Sequence, residues 1–143
     1  MAHAERTVTI DRPVQQVFDY IADGTNNPHW RAGVLEIERT STDVGVGATY
    51  RQVLQGPGGR RIAGDYRVTT FSPPNRLEFA VIAGPARPTG VFDLTEEGPA
   101  RTKLTFSLDL RPTGIMRLMS GMIAKQMRTE VAQIDRLKAN LEA

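Results

Sequence analysis

The spacing of apolar residues divides the chain into three stretches. In "RTVTI", Val8 and Ile10 alternate with Thr7 and Thr9, which predicts a first strand. "DRPVQQVFDYIADG" then predicts a short helix whose apolar face carries Val14, Val17, Phe18 and Ile21. Asp11 is placed to cap that helix, Pro13 suits its first turn, and Asp23-Gly24 ends it. "TNNPHW" is polar and turn-rich, with room for a second helical turn around Asn26 to Arg31.

From there strand-like runs follow one another: "VLEIERT", "TYRQVLQ", "RIAGDYRVTTF", "RLEFAVI", "TGVFDLTEE" and "RTKLTFSLDLR". Turn chemistry separates them at Gly45/Gly47, Gly56-Pro57-Gly58-Gly59, Ser72-Pro73-Pro74-Asn75, Gly84-Pro85 and Glu97-Gly98-Pro99. The last run alternates most cleanly, Leu104, Phe106, Leu108 and Leu110 against Lys103, Thr105, Ser107 and Asp109. Such a strand buries one face and wets the other, as in an antiparallel sheet covered on one side.

After Pro112 the period changes. Met116, Met119, Ile123, Met127, Val131, Ile134, Leu137 and Leu141 follow three- and four-residue steps, with Thr113 placed as an N-cap. A helix of that span would be on the order of 40 Å long at about 1.5 Å per residue. Its second half interleaves Lys125, Arg128, Glu130, Asp135, Arg136 and Lys138, whereas from 114 to 124 the only charge is Arg117. Four of the five methionines fall between 113 and 127, and Gly121 interrupts the run at a cost of about 1 kcal/mol relative to Ala. Close approach by the sheet or by a ligand would account for that glycine. Methionine is flexible and polarizable, suited both to ordinary cores and to surfaces that repack around guests. The pattern leaves both readings open.

Composition narrows the class. At 143 residues the chain is one domain, 1–143, able to bury roughly two-thirds of its unfolded surface without staples. The absence of cysteine excludes disulfides, thiolate metal sites and cysteine nucleophiles, and it fits a reducing cytoplasm. A net charge of +2 with scattered signs points away from nucleic acid. The opening "MAHAERTVTIDRP" lacks the apolar run of a signal peptide, and no stretch reaches the length of a membrane span. The expectation is a cytoplasmic monomer or homodimer.

Catalytic signals are sparse. Of two histidines, His3 lies in the terminus and His29 in a polar turn beside Trp30, where Asp19 or Asp23 could tune it. No two-His spacing or "HExxH" exists, so no metal site is expected. None of Ser41, Ser72, Ser107 and Ser120 has a "GxSxG" context. "GPGG" joins two strands and lacks a following Lys-Ser/Thr, so it is a hairpin and not a phosphate loop. Arg31, Arg51, Arg67 and Arg87 are expected to be solvated strand or loop charges, and nothing singles out one of them as the group that would meet a carboxylate or phosphate at a cavity mouth.

One strand, a short helical pair, six strands and a long helix require the helix to cover the apolar sheet face. In that order the chain resembles the polyketide cyclase/dehydratase and lipid-transport (SRPBCC) superfamily, with the helix-grip fold of START domains and the birch pollen allergen. The resemblance runs through "TIDRPVQQVFDYIAD", "PHWRAGVLEIE", "VGVGATYR", "YRVTTFSPPNRLEF" and "GPARTKLTFSLDL". It implies an α+β fold: a curved seven-stranded antiparallel sheet wrapped around the C-terminal helix, with two short helices between strands 1 and 2. Alternation then puts Tyr50, Gln52, Leu54, Tyr66 and Val68 on the inner face. Leu77, Phe79, Val81, Phe92, Leu94, Leu104, Phe106 and Leu108 continue it, unless a bulge inverts a strand.

The expected ligand site follows from these faces: Tyr50, Gln52, Tyr66, Phe79, Phe92 and Phe106 from the sheet, and Met116, Met119, Ile123 and Met127 from the helix. The resemblance adds Trp30 near the cavity entrance. The space between sheet and helix is expected to be modestly hollow and to take a small hydrophobic molecule: a lipid, isoprenoid or polyketide-like compound, without cofactor. The alternative is a cyclase, aromatase or dehydratase using the same cavity, with His29, Tyr50 or Tyr66 as catalytic candidates. A third reading is a module whose Met-rich half and "AGPARPTG" loop dock a protein or a quinone carrier.

Overall fold

The computed structural model describes residues 2–143. Strand β1 (Ala2–Ile10) leads through Pro13 into helix α1 (Val14–Ala22). A 3-10 turn (Gly24–Asn26) and the one-turn helix α2 (Asn27–Trp30) follow. Then come β2 (Val34–Arg39), β3 (Thr49–Gln55), β4 (Arg61–Ala63), β5 (Tyr66–Ser72), β6 (Arg76–Val81), β7 (Thr89–Gly98) and β8 (Arg101–Leu110). The chain closes with a 3-10 turn (Gly114–Met119), α3 (Ser120–Ala132) and α4 (Ile134–Glu142).

The sheet order is β1-β8-β7-β6-β5-β3-β2, all antiparallel, and short β4 pairs with β3 alone. Seven strands thus form the curled path expected of a helix-grip fold. The run "RIAGDYRVTTF" is two strands, not one, because Gly64 and Asp65 carry the chain from β4 to β5.

Alternation sets the inner face. Phe92 lies opposite Phe106 and Leu94 opposite Leu104, and all four are buried. The Phe92 and Phe106 rings stack at 4.4 Å between centroids, one of the favourable cross-strand aromatic geometries. Opposite Phe79 stands Gly90, where a Cβ would come within 2.3 Å of the Phe79 ring. That glycine lets the Phe79 ring lie flat across its neighbour strand. The predicted parity holds on β3, β6, β7 and β8. On β5 a bulge between Val68 and Thr70 turns Phe71 inward, edge-on to Phe18 of α1 at 5.4 Å.

The helical cover differs from the single uninterrupted helix that the periodicity predicts. Gly114 takes a positive φ of 56°, and a 3-10 turn precedes the α-helix, which starts only at Ser120. A second irregularity falls at Gln133, whose side-chain carbonyl accepts a hydrogen bond from Ala32 N–H at 2.5 Å. Beyond it Ile134 and Leu137 are fully buried, and Met127 and Val131 nearly so. Met116 and Ile123 are partly buried against the core, but Met119 does not face the sheet as its spacing predicts. It ends the 3-10 turn with φ −109° and ψ 17°, a break that shifts the helical phase, and it is 40 % exposed. Nothing lies within 4 Å of a Cβ built on Gly121, so close approach does not explain that residue.

Capping also departs from expectation. Asp11 does not cap α1; its backbone N–H instead donates to Glu142 Oε2 at 2.7 Å, tying the start of the chain to its last helix. Thr113 makes no side-chain cap. Asp23 closes α1 and caps the 3-10 turn, accepting from Thr25 N–H at 3.0 Å.

Candidate functional site: a polar wall in an aromatic interior

The short helical pair meets the sheet over a stacked pair of tyrosines. Tyr50 and Tyr66, opposite one another on β3 and β5, stack at 4.9 Å with an angle of 18°. Gly24 sits directly above them. A Cβ there would fall 2.1 Å from the Tyr66 hydroxyl and 2.8 Å from the Tyr50 ring. Glycine is therefore required by the approach of the 3-10 turn to the tyrosines.

A connected polar group forms at this contact. Asn27, buried at the start of α2, donates through Nδ2 to Gln52 Oε1 and to Tyr66 Oη, each at 3.2 Å. Gln52 Nε2 donates to Gly64 O at 3.2 Å. Tyr50 Oη accepts from Gly24 N–H and donates to Ala22 O, both at 3.4 Å. Each bond removes part of the cost of about 1–3 kcal/mol that an unpaired buried polar group carries. Among the described residues the buried Trp30 Nε1–H has no partner, and the Tyr66 hydroxyl is partnered only as an acceptor, from Asn27. Burial, with Tyr50 alongside as a second contribution, raises the Tyr66 pKa well above the usual phenol range. Its hydroxyl therefore stays protonated, which leaves the O–H free to donate and makes it no base.

Arg31 completes this wall. The resemblance of its turn to solvated loop charges is misleading, because the residue is buried and lies 5.8 Å above the Trp30 ring. Its Nε and Nη2 donate to Glu130 Oε2 of α3 at 3.4 and 3.1 Å. The ion pair couples α2 to the covering helix across 99 residues of sequence.

Between this wall and the apolar residues Ile21, Val68, Leu77, Phe79 and Phe92 lies a small cavity of about 20 Å³. Asn27, Arg31, Tyr50 and Tyr66 line its polar side. That is room for one water molecule. The modest hollow expected from the sequence is therefore much smaller than expected, because the aromatic rings fill it. Trp30 meets Phe92 and Phe106 edge-on at 6.1 and 5.8 Å and is 1 % exposed, so it packs in the interior and not at an entrance. A separate recess of about 250 Å³ opens where β8 ends, lined by Pro85, Arg87, Leu110, Arg111, Thr113 and Met116.

The sequence-predicted site residues are thus divided. Tyr50, Tyr66, Phe79 and Phe92 line the small cavity, Gln52 braces it through Asn27, and Phe106 supports Phe92 from behind. Met116 lines the outer recess. Met119, Ile123 and Met127 line neither space, and His29 is exposed on α2 apart from both. Asn27, Ile21 and Gly24 belong to the site and were not foreseen, and Arg31, expected to be solvated, belongs to it as well. Among the described residues no group of three His, Asp or Glu side chains is placed to hold a metal. Nor is any helix long and apolar enough to cross a membrane.

A curled antiparallel sheet gripping a C-terminal helix, with its polar wall under a short helical pair, defines the START-like helix-grip class. The chain belongs to the family described as polyketide cyclase / dehydrase and lipid transport, which its sequence matches over residues 1–142. Among solved structures it is similar to a START superfamily protein from Mycobacterium smegmatis, at 14 % identity and TM-score 0.81 over 99 % of this chain and 98 % of that one. A Thermus thermophilus protein matches at 18 % identity and TM-score 0.80, over 96 % and 94 % of the two chains. An aromatase/cyclase from Streptomyces sp. R1128 matches at 19 % identity and TM-score 0.68, over 96 % and 87 %. At these identities the likeness is one of fold. No curated protein matches the sequence.

Proposed function

We propose that the protein binds a small, mainly apolar molecule carrying at least one oxygen acceptor, in the space between the sheet and the C-terminal helix. The observation that carries this reading is the unpartnered Tyr66 O–H on the cavity wall, next to Asn27 and Arg31 and facing Leu77, Phe79 and Phe92. A carbonyl, carboxylate or phenolic oxygen of the guest would accept from Tyr66, and its hydrocarbon body would lie against the aromatic face. Lipids, isoprenoids and polyketide-like compounds share that chemistry.

A cavity of about 20 Å³ holds no such guest without expansion, so loading requires the elements around it to move apart. The Gly114–Met119 turn is the element suited to do so: 3-10 geometry is less stable than α, and the turn rests mainly on the start of α3. The outer recess beside Met116 would be the entrance.

A cyclase or dehydratase reading uses the same residues differently. It is weakened by the raised Tyr66 pKa, which makes that hydroxyl a poor proton donor in the full-transfer sense, and by the exposed position of His29 away from the cavity. Polarisation of a carbonyl by Tyr66 remains within its chemistry.

Native mass spectrometry of protein purified from cells tests the proposal, together with thermal shifts across fatty acids, isoprenoids and polyphenols. A bound lipid-like mass, or stabilisation that falls on Tyr66→Phe, is the expected result. Absence of both a carried mass and any thermal shift would sink the reading. Turnover of a polyketide-like substrate that Tyr66→Phe abolishes while binding persists would favour the enzyme.

A further inference from the structure

Charge is unevenly divided over this molecule. Three segments bear on the end of the sheet where β8 runs out: residues 55–64 around the β3–β4 hairpin, residues 79–92 around the β6–β7 connection, and residues 111–116, from which the chain continues through the 3-10 turn into α3 up to 129. Gly84 of the second lies against the carbonyl of Ala63 of the first. Pro85 and Arg87 share the outer recess with Arg111, Thr113 and Met116 of the third. These segments hold Arg60, Arg61, Arg87, Arg111, Arg117, Lys125 and Arg128, seven of the eighteen basic residues, and none of the sixteen acidic ones. The remaining eleven basic residues face all sixteen acidic ones, so the rest of the molecule is net negative. The near-neutral total conceals an uneven distribution, in which Asp109, paired with Thr89 at the end of β8, and Asp65, whose carbonyl accepts from Ile82, border the basic segments.

Most of these cations are free. Among the described residues Arg61 pairs with Glu36, and the other six have no carboxylate within ion-pair distance. Within the same end stand Leu118, 87 % exposed, Met122, 63 % exposed, and the less exposed Met119 and Ile82. Leu118 and Met122 are four positions apart, and both are bracketed in sequence by Arg117 and Lys125. Large apolar side chains held in water amid unpaired cations match a surface that is itself apolar beneath and anionic above.

We infer that this end of the protein docks on an anionic lipid surface, with Leu118 and Met122 inserted among the acyl chains and the surrounding arginines and lysines on the phosphates. Nucleic acid would satisfy the cations but leave Leu118 and Met122 without partners, which is why a lipid surface fits better. The orientation also directs the recess beside Met116 toward the bilayer. The inference stands apart from the ligand reading, because docking is measured with or without a guest inside. Failure to dock would leave a carried ligand unexplained in origin but still bound.

Flotation of the full chain with vesicles tests it, comparing phosphatidylcholine alone with phosphatidylcholine mixed with phosphatidylglycerol. Partitioning onto the anionic vesicles should exceed that onto neutral ones by at least tenfold and should fall steeply with added salt. Leu118→Glu and Met122→Glu should each lower it about tenfold or more, and Arg117→Gln about fivefold, with unchanged thermal unfolding because these side chains are exposed. Equal partitioning onto both vesicle types, or none onto either, would overturn the inference. So would retention of binding by the Leu118→Glu, Met122→Glu double variant. Displacement by an oligonucleotide from a surface indifferent to that double variant would assign the cations to a polyanion and overturn it equally.

Discussion

Of the two halves of the C-terminal helix, the one richer in large apolar residues is the less buried. From Met127 onward the helix is pinned along its inner face and at its flanks. Met127, Val131, Ile134 and Leu137 are buried. Glu130 holds Arg31, Gln133 holds Ala32, and Asn140 Nδ2 donates to His29 O at 2.8 Å. Asp135 receives a two-point hydrogen bond from Arg6 at 3.0 and 2.7 Å, and Lys138 Nζ donates to Thr9 O at 2.6 Å. Before Met127 no comparable polar tie exists among the described residues, and Leu118, Met119 and Met122 are exposed. The difference shows that apolar content does not by itself determine burial: the pinned half has polar partners at its flanks that fix the angle at which its apolar face meets β1 and α2. The free half lacks them, which leaves it available for an outside surface.

The largest effect that would break this contrast is a stability measurement on matched leucines. Leu137→Ala should cost about 2–5 kcal/mol, since the residue is fully enclosed between the helix and the sheet. Leu118→Ala should change stability by no more than about 0.5 kcal/mol. Equilibrium urea unfolding of both variants checks the pair. Comparable losses would mean that the free half is as tightly packed as the pinned one.

The next test separates the ion pair from the packing. Glu130→Gln leaves Arg31 charged beside Trp30 and the small cavity, with side-chain exposure of only 10 % at Arg31 and 17 % at Glu130. Losing one partner of a fully buried pair costs about 3–5 kcal/mol; water reaches this pair in part, so about 2 kcal/mol is expected. Hydrogen exchange should then speed up in α2 and in the middle of α3 before it does in α4. Uniform acceleration throughout the helix would show that the pair contributes to global stability but does not hold the two halves apart.

What the sequence made legible was periodic, and what it concealed was pairwise. Leu104, Phe106 and Leu108 announce their face because each strand residue is told by its neighbours, and the same holds for Phe79 and Phe92. Phe71 falls out of step because a bulge changes parity without leaving any mark in composition. Arg31 and Asn27 look like turn residues, since nothing near them in sequence names Glu130 or Tyr66 as their partners. Met119 shares the spacing of Met127, and only the 3-10 turn before Ser120 removes it from the interior. Gly24 ends a helix by type, and its closeness to Tyr66 depends on two strands that arrive much later.

The smallest and sharpest test uses Tyr66 as a reporter of whether the free half opens. Its pKa is raised because the hydroxyl is buried beside Tyr50, so the neutral form is favoured in the folded state. The sign follows from that direction. The unfolded chain releases the proton near the ordinary phenol value of about 10, whereas the folded chain retains it to higher pH. The contribution to stability is therefore complete below about pH 10 and declines as the pH rises toward the folded value. At neutral pH Tyr66→Phe should cost no more than about 1 kcal/mol, through the lost acceptor of Asn27. In alkaline solution the variant should lose less stability per pH unit than the parent. A phenolate absorbance titration shows which regime holds. A delayed titration in the parent that returns to the ordinary range on Glu130→Gln would mean that the pinned half keeps water from the tyrosines. Ordinary titration in the parent itself would mean that the free half already opens often enough to wet the polar wall, and that the contrast between the two halves does not extend to the interior.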